Sequence, residues 1–320
     1  PPSDSIAGAL LGTAVGDALG MPVEGLSHAN VRTYYKGIKE YRDDDQRGDL
    51  GAGQWTDDTQ MTFALVRALT DHPASPDAWP AAVADEYVAL RPEARRWGET
   101  TTTAVDRLAD GTPPAEAGVP DRPTDGAAMR AAPLGVWWAA RDLDREAAFE
   151  AIRPVLAVTH RHPAALAAGW GQAVAVHTLL GWTPDAFDRA AFWERLVDAT
   201  AWAEGRLDGD DRVSGRLEAL ADHLDAFPLN LGDACDGVGV RADEAWPFAC
   251  AMVARRAHLL ENTLLSGINV GGDADTTGAM MGAMLGALHG WSAFPDEWGE
   301  GLEAFDRLEA EARALAGALS

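Results

Sequence analysis

The sequence predicts an all-α protein forming one domain over residues 1–320. Three observations lead there. Alternating runs rich in Val, Ile and Thr, the signature of a half-buried strand, are nearly absent. Apolar residues recur instead at helical spacing. The breaks between such segments are short and rich in Pro and Gly, and none is long enough to read as an interdomain linker.

The first apolar segment, Ile6 to Val23, could read as a membrane span or a signal peptide. No lysine or arginine precedes Arg32, so the basic flank of a signal peptide is missing, and Asp17 interrupts the run. A buried core helix is the reading that fits. Next, "DTQMTFALVRALTDH" places Met61, Leu65, Ala68 and Leu69 on one helix face. The stretches "DHPASP", "ADGTPP" and "GVPDRPTDG" read as interhelical loops. Residues 184–207 and 244–265 each carry helical apolar spacing.

Glycine marks two of the helices. Gly8, Gly12, Gly16 and Gly20 recur every fourth residue, as do Gly278, Gly282, Gly286 and Gly290. Each interior glycine costs a helix roughly 1 kcal/mol against alanine, so two such rows need a compensating gain. A stripe without side chains lets another backbone approach closely. Both helices are therefore expected at the centre of the fold, packed against each other.

Composition narrows the function. Hydrophobic residues make up 47% of the chain, which suits a packed globule rather than disorder. The formal charge is −24, so general nucleic-acid binding is not expected, and any anionic ligand needs a local device such as a cation or a helix N-terminus. Cys235 and Cys250 form neither a CxxC pair nor a disulfide framework, which suits a reducing cytoplasm. No membrane partner is expected, and the chain is expected to act as a monomer.

The chemistry concentrates at two helix starts. Asp57 and Asp58, after Thr56, open one helix, and Asp273, Asp275 and Thr276 open another. Acids and threonines in a first turn cap the helix and complement its dipole, with Thr56 or Asp57 as N-cap. Two acids at each of two helix starts exceed what capping requires. If the clusters meet, like charges must take up protons or a cation, and hard carboxylate and hydroxyl donors suit Mg²⁺, Mn²⁺ or Ca²⁺ rather than zinc. The acidic run at residues 41–53 fails as an EF-hand, because Arg47 stands at a ligand position and Gln54 at the required glutamate. It reads as a solvated loop and a candidate lid.

Taken together, "GALLGTAVGDALGMPVEG" (8–25), "WTDDTQMT" (55–62), "RRWGETTTTAVDRLADG" (95–111), "DGAAMRAAPLG" (125–135), "THRHPAAL" (159–166), "GVGVRADEAWPFA" (237–249) and "GGDADTTGAMMGAMLGALHG" (271–290) resemble the ADP-ribosylglycohydrolase family. That group includes the dinitrogenase-reductase-activating glycohydrolases. Each piece alone is weak; their order and spacing carry the match. The resemblance implies a compact orthogonal helix bundle around a binuclear site for two divalent cations, Mg²⁺ or Mn²⁺. It implies Thr56, Asp57, Asp58, Asp273, Asp275 and Thr276 as ligands. It also implies Glu24 beside the metals, Gly98, Glu99, Thr100 and Thr101 as a pyrophosphate cradle, Gly126, Ala127 and Met129 at a ribose pocket, and His160 as a ligand contact. The chain departs from the family pattern at Asp125, often asparagine there, at Val240, which bears with Asp125 on the nucleotide pocket, and at Ala283, often glutamine.

The activity the resemblance implies is hydrolysis of the glycosidic bond between ADP-ribose and an acceptor, releasing ADP-ribose. The partner would be an ADP-ribosylated protein or a small ADP-ribose conjugate. Arginine linkage is favoured, because "WTDDTQM" and "GGDADTTGA" are similar to the dinitrogenase-reductase type. Glu24 is the expected proton-transfer residue and Asp57 or Asp58 the alternative base, since a cation makes a bound carboxylate a poorer base. Two other readings stand beside it: a two-metal phosphohydrolase, and a non-catalytic ADP-ribose-binding or structural protein on the same fold.

Overall fold

The computed structural model describes residues 1–210 and 212–320. Among them the chain is built from α-helices, short 3-10 turns and one π-helical turn at Val31–Tyr35, without a strand; extended backbone meets only at isolated bridges. Seven helices position the site: α1 (Ser3–Gly20), α2 (Asp57–Asp71), α3 (Glu99–Ala109), α4 (Pro163–Leu179), α5 (Ala242–Arg256), α6 (Ala274–His289) and α7 (Phe305–Leu319).

At the centre, α1 and α6 run antiparallel in close contact. A Cβ added to Gly8, Gly12, Gly16 or Gly20 would run into the carbonyls of Gly286, Gly282, Gly278 and Ala274 in turn. Additions at Gly278, Gly282 and Gly286 would meet the backbone of Gly16, Gly12 and Gly8. The two stripes are therefore one interface, each cut to fit the other. Every residue from Gly8 to Gly20 and from Ala274 to Leu288 is buried. That is why α1 is apolar all round, as a core helix must be, and 94% of its membrane-length apolar window lies inside the fold.

Other helices wrap this pair. The α2 helix packs on α1 and α7, and α4 packs on α5 and α6. One apolar cluster runs through the molecule from Ile6 to Leu319. Trp170 of α4 anchors it, stacked on Trp138 at 5.1 Å and meeting Phe149 edge-on at 5.2 Å.

Two long segments are shorter helices than their apolar spacing suggests. In 184–207, Pro184–Ala186 forms a 3-10 turn, and the helix begins only at Arg189, where Asp188 accepts the N–H of Ala191 at 3.0 Å. The 244–265 stretch breaks after Arg256 and restarts at Leu260. Thr263 Oγ1 donates to the Arg256 carbonyl at 2.8 Å, satisfying a helix end that no glycine or proline announces.

Candidate functional site

Antiparallel packing brings the C-terminal end of α1 beside the N-terminal end of α6. Pro22 sits in a 3-10 turn that ends the helical run, and Glu24 follows in extended backbone. Gly25 N–H then donates to the Gly272 carbonyl at 2.7 Å, and Gly272 N–H donates to the Leu26 carbonyl at 2.8 Å. This reciprocal pair pins the exit of α1 to the entrance of α6, and with it Glu24 to Asp273.

Asp17, in the last turns of α1, reaches across to start α2. It is fully buried and accepts from Thr56 N–H and Oγ1 at 3.0 Å, from Thr59 N–H at 3.0 Å and from Thr59 Oγ1 at 2.6 Å. Neither Thr56 nor Asp57 caps α2 with its own side chain, because the cap comes from another helix. Thr56 is freed to place its hydroxyl among carboxylates, 3.1 Å from Asp58 Oδ2 and 3.5 Å from Asp275 Oδ2. Thr276 Oγ1 approaches Asp58 Oδ2 at 3.4 Å.

The two acidic helix starts therefore meet. Oxygens of Asp17, Asp58 and Asp275 lie within 4.8 Å of one another, as do oxygens of Glu24, Asp273 and Asp275. Asp275 belongs to both groups; Asp57 belongs to neither and lies on the cavity side. Burial is the largest force on these carboxyls. It pushes Asp17 up to about 6 against the pull of its four hydrogen bonds. Asp57, Asp58 and Asp275 are pushed well above the usual carboxylate range, first by burial and then by each other's charge and that of Asp17, Asp273 or Glu24. Asp58 Oδ1 and Asp275 Oδ1 are buried without a hydrogen-bond partner. Orphaned oxygens among hard donors suit a divalent cation, so the residues present fit one.

Above this floor opens a cavity of about 310 Å³. Of the residues expected from sequence, Glu24, Asp57, Gly98, Glu99, Thr100, Thr101, Gly126, Met129, His160, Val240, Asp273, Asp275 and Thr276 line it. Thr56 and Asp58 lie buried beneath it. Ala127 does not line it: the residue is fully buried, with its side chain and carbonyl against Gly169 of α4. On one wall, Gly98 stands at the N-cap of α3 and has no side chain with which to cap it. The N–H groups of Glu99, Thr100 and Thr101 have no acceptor among the described residues and offer a dipole-backed anion cradle. On another, Asp125 N–H donates to the Val240 carbonyl at 3.0 Å, tying the 125–129 turn to the α5 entrance. A larger cleft of about 830 Å³, within residues 291–309, lies outside both acidic groups.

At the mouth, Glu24 is clasped by two guanidinium groups. Arg47 donates from both terminal nitrogens, at 2.6 and 3.1 Å, and Arg96 donates at 2.9 Å. Arg96 also holds Asp44 at 2.6 Å and Asp49 at 2.5 Å, so it ties the 41–53 loop beside Glu24. That loop is less solvated than its composition suggests: Asp44 is buried, and its Oδ1 accepts the N–H groups of Gln46 and Arg47. No local pattern in the sequence gives a site role to Asp17, Arg47, Arg96 or Arg122, the last of which lines the cavity and pairs with Glu99 at 2.6 Å. A buried acid in an apolar helix was the available signal for Asp17; the arginines carried none.

The sequence profile of the ADP-ribosylglycohydrolase family matches residues 1–320. An uncharacterized protein of Archaeoglobus fulgidus is 31% identical over 309 residues, covering 96% of this chain and 94% of that protein. The mouse (Mus musculus) ADP-ribosylhydrolase ARH3 is 26% identical, covering 96% and 90% of the two chains. The ADP-ribosyl-(dinitrogen reductase) glycohydrolase of Rhodospirillum rubrum is 28% identical, covering 99% and 95%. Among solved structures, an ADP-ribosylglycohydrolase-related protein complex superposes with a TM-score of 0.76 at 26% identity, over 99% of both chains.

Proposed function

From the premise that the chain belongs to the ADP-ribosylglycohydrolase family, we propose that it hydrolyses the glycosidic bond between ADP-ribose and an acceptor, arginine-linked in preference, using two Mg²⁺ or Mn²⁺ ions. The observation that carries the reading is the pair of carboxylate groups sharing Asp275 on the cavity floor, facing the uncapped N-terminus of α3. Two acidic groups with Asp275 in common could hold a pair of divalent cations.

Asp58, Asp273 and Asp275, which belong to these groups, would hold the ions with Thr56 and Thr276 beside them and Asp57 from the cavity side, while Asp17, its oxygens already taken by four donors, stands behind. When bound, the cations supply a grip on ribose hydroxyls and orient a water for attack at the anomeric carbon. The N–H groups of Glu99 to Thr101 take the pyrophosphate, which lets a chain of net charge −24 hold an anion. Departure of the acceptor develops oxocarbenium character at the ribose, as in other glycoside hydrolyses. Glu24, in reach of the Asp273 and Asp275 carboxylates, moves the proton between water and leaving group. An arginine acceptor is favoured by the similarity of "WTDDTQM" and "GGDADTTGA" to the dinitrogenase-reductase type.

A panel of defined conjugates, with ADP-ribose linked to arginine, to serine or to a small molecule, tests the reading by mass analysis of products. Free ADP-ribose, released fastest from the arginine conjugate, is expected. AMP or phosphate as product would instead mean phosphoryl chemistry, and no turnover of any conjugate would mean a binding protein.

A further inference from the structure

Behind the cavity wall lies a guanidinium without a carboxylate. Arg130 is fully buried, and its contacts are Thr159 Oγ1 at 2.6 Å, the Leu156 carbonyl at 3.3 Å, Met61 Sδ at 3.9 Å and the face of Tyr87 at 5.2 Å. Among the described residues no acid is within ion-pair distance; Asp57 acts on it only through longer-range charge. An unpaired buried cation is costly, so what it orders is of interest. A guanidinium only donates, and Thr159 Oγ1 therefore accepts from it. The hydroxyl has one proton to give, and its one acceptor among the described residues is His160 Nδ1 at 2.7 Å. An accepting Nδ1 leaves the ring proton on Nε2.

That edge of the ring faces the cavity. A Cβ at Gly126 would lie 2.6 Å from both His160 Cε1 and Nε2, so glycine is required there for the imidazole to reach the wall. Nε2 has no partner among the described residues. The backbone on either side is fixed: Val119 N–H donates to the Thr159 carbonyl and Arg161 N–H to the Val119 carbonyl, both at 2.9 Å. We infer that Arg130 and Thr159 are positioning residues that set His160 as a neutral imidazole with its proton on Nε2, presenting a donor to an acceptor oxygen of bound ADP-ribose. The identity of the ligand rests on the function proposed above; the tautomer does not. Burial, reinforced by the Arg130 charge, pushes the His160 pKa well below the usual histidine range, which keeps the ring neutral across physiological pH.

Long-range ¹H–¹⁵N spectra of the full chain read the tautomer directly, with His160 assigned by the loss of its signals in His160→Gln. The inference expects an unprotonated Nδ1 and a protonated Nε2, unchanged from about pH 5.5 to 8. In Thr159→Val the preference for Nε2 should be lost and the Kd for ADP-ribose should rise roughly three- to tenfold, the range one neutral hydrogen bond is worth. Thr159→Ser, which keeps the hydroxyl, should restore both. A protonated Nδ1 in the wild type, a ring titrating near its ordinary value, or wild-type affinity in a folded Thr159→Val would overturn it. If Thr159→Val does not fold, the wild-type and Thr159→Ser spectra still decide. A wild-type chain with an Nε2–H ring and no affinity for ADP-ribose would overturn the ligand half of the inference, and the functional reading with it.

Discussion

Asp17 and Glu24 sit seven residues apart on either side of a helix end, and their surroundings assign them opposite tasks. Asp17 has no exposed surface and four donors, so it organises: it starts α2 and orients Thr56. Glu24 is partly exposed at the cavity mouth, where a carboxylate can meet substrate. Glu24→Gln preserves shape but removes proton exchange, and with it the charge and one of the two oxygens that Arg47 and Arg96 donate to. Turnover should fall by about 10²- to 10⁴-fold with bound metal retained, measured by single-turnover hydrolysis beside elemental analysis. Near-normal turnover would move the role to Asp57 or Asp58, and loss of metal would make Glu24 a ligand. Much of this was legible in the chain, because Pro22 announces the helix exit and the paired acids announce themselves. Asp17 showed only as an acid inside an apolar helix; its task did not, since its four donors come from residues 56 and 59, and tertiary contact has no signature in local spacing. The arginine clasp on Glu24 escaped for the same reason.

Among the helices, the glycine stripes were the most informative feature. Two rows at four-residue spacing state that two backbones touch, and they name the helices. What they do not state is the register, which the reciprocal contacts of Gly12 with Gly282 and Gly16 with Gly278 supply. A methyl at Gly12 would press on the Gly282 backbone and the Phe294 ring, none of which can retreat easily. Gly12→Ala should cost roughly 1–3 kcal/mol or more by denaturant unfolding. Gly205, at an exposed helical position with nothing within 4 Å of an added Cβ, provides the contrast. There alanine should stabilise by up to about 1 kcal/mol through helix propensity alone. Equal effects at both positions would show that the stripe is not a contact surface. The break after Arg256 marks where reading by element fails: the helix ends through a threonine hydroxyl, with no change in apolar spacing.

At the scale of the whole molecule, acids outnumber bases 50 to 26, yet the decisive charges are the few in the core. Those carboxyls bind protons more tightly folded than unfolded. The stability they contribute is present below the unfolded value of 3.8 and is lost as pH rises through the folded value, about 6 for Asp17. His177 works in the opposite direction: burial against Trp138 lowers it to about 4, so stability is lost as pH falls from 6.5 towards that value. The cation-induced shift in Tm at each pH separates the two, because His177 is common to both states. A divalent cation bound as proposed would replace protons at the acidic cluster, so its effect should be large near pH 7.5, about 2.7 kcal/mol at 100 times Kd, and should shrink towards pH 5. A pH-independent effect would place the cation elsewhere. The central claim, that these carboxylates form a metal-dependent ADP-ribosyl hydrolase centre, meets its most direct test in the hydrolysis of an arginine-linked ADP-ribose conjugate before and after chelation. Release of free ADP-ribose should be abolished by excess chelator and restored by Mg²⁺ or Mn²⁺. Undiminished release in the chelator would contradict it.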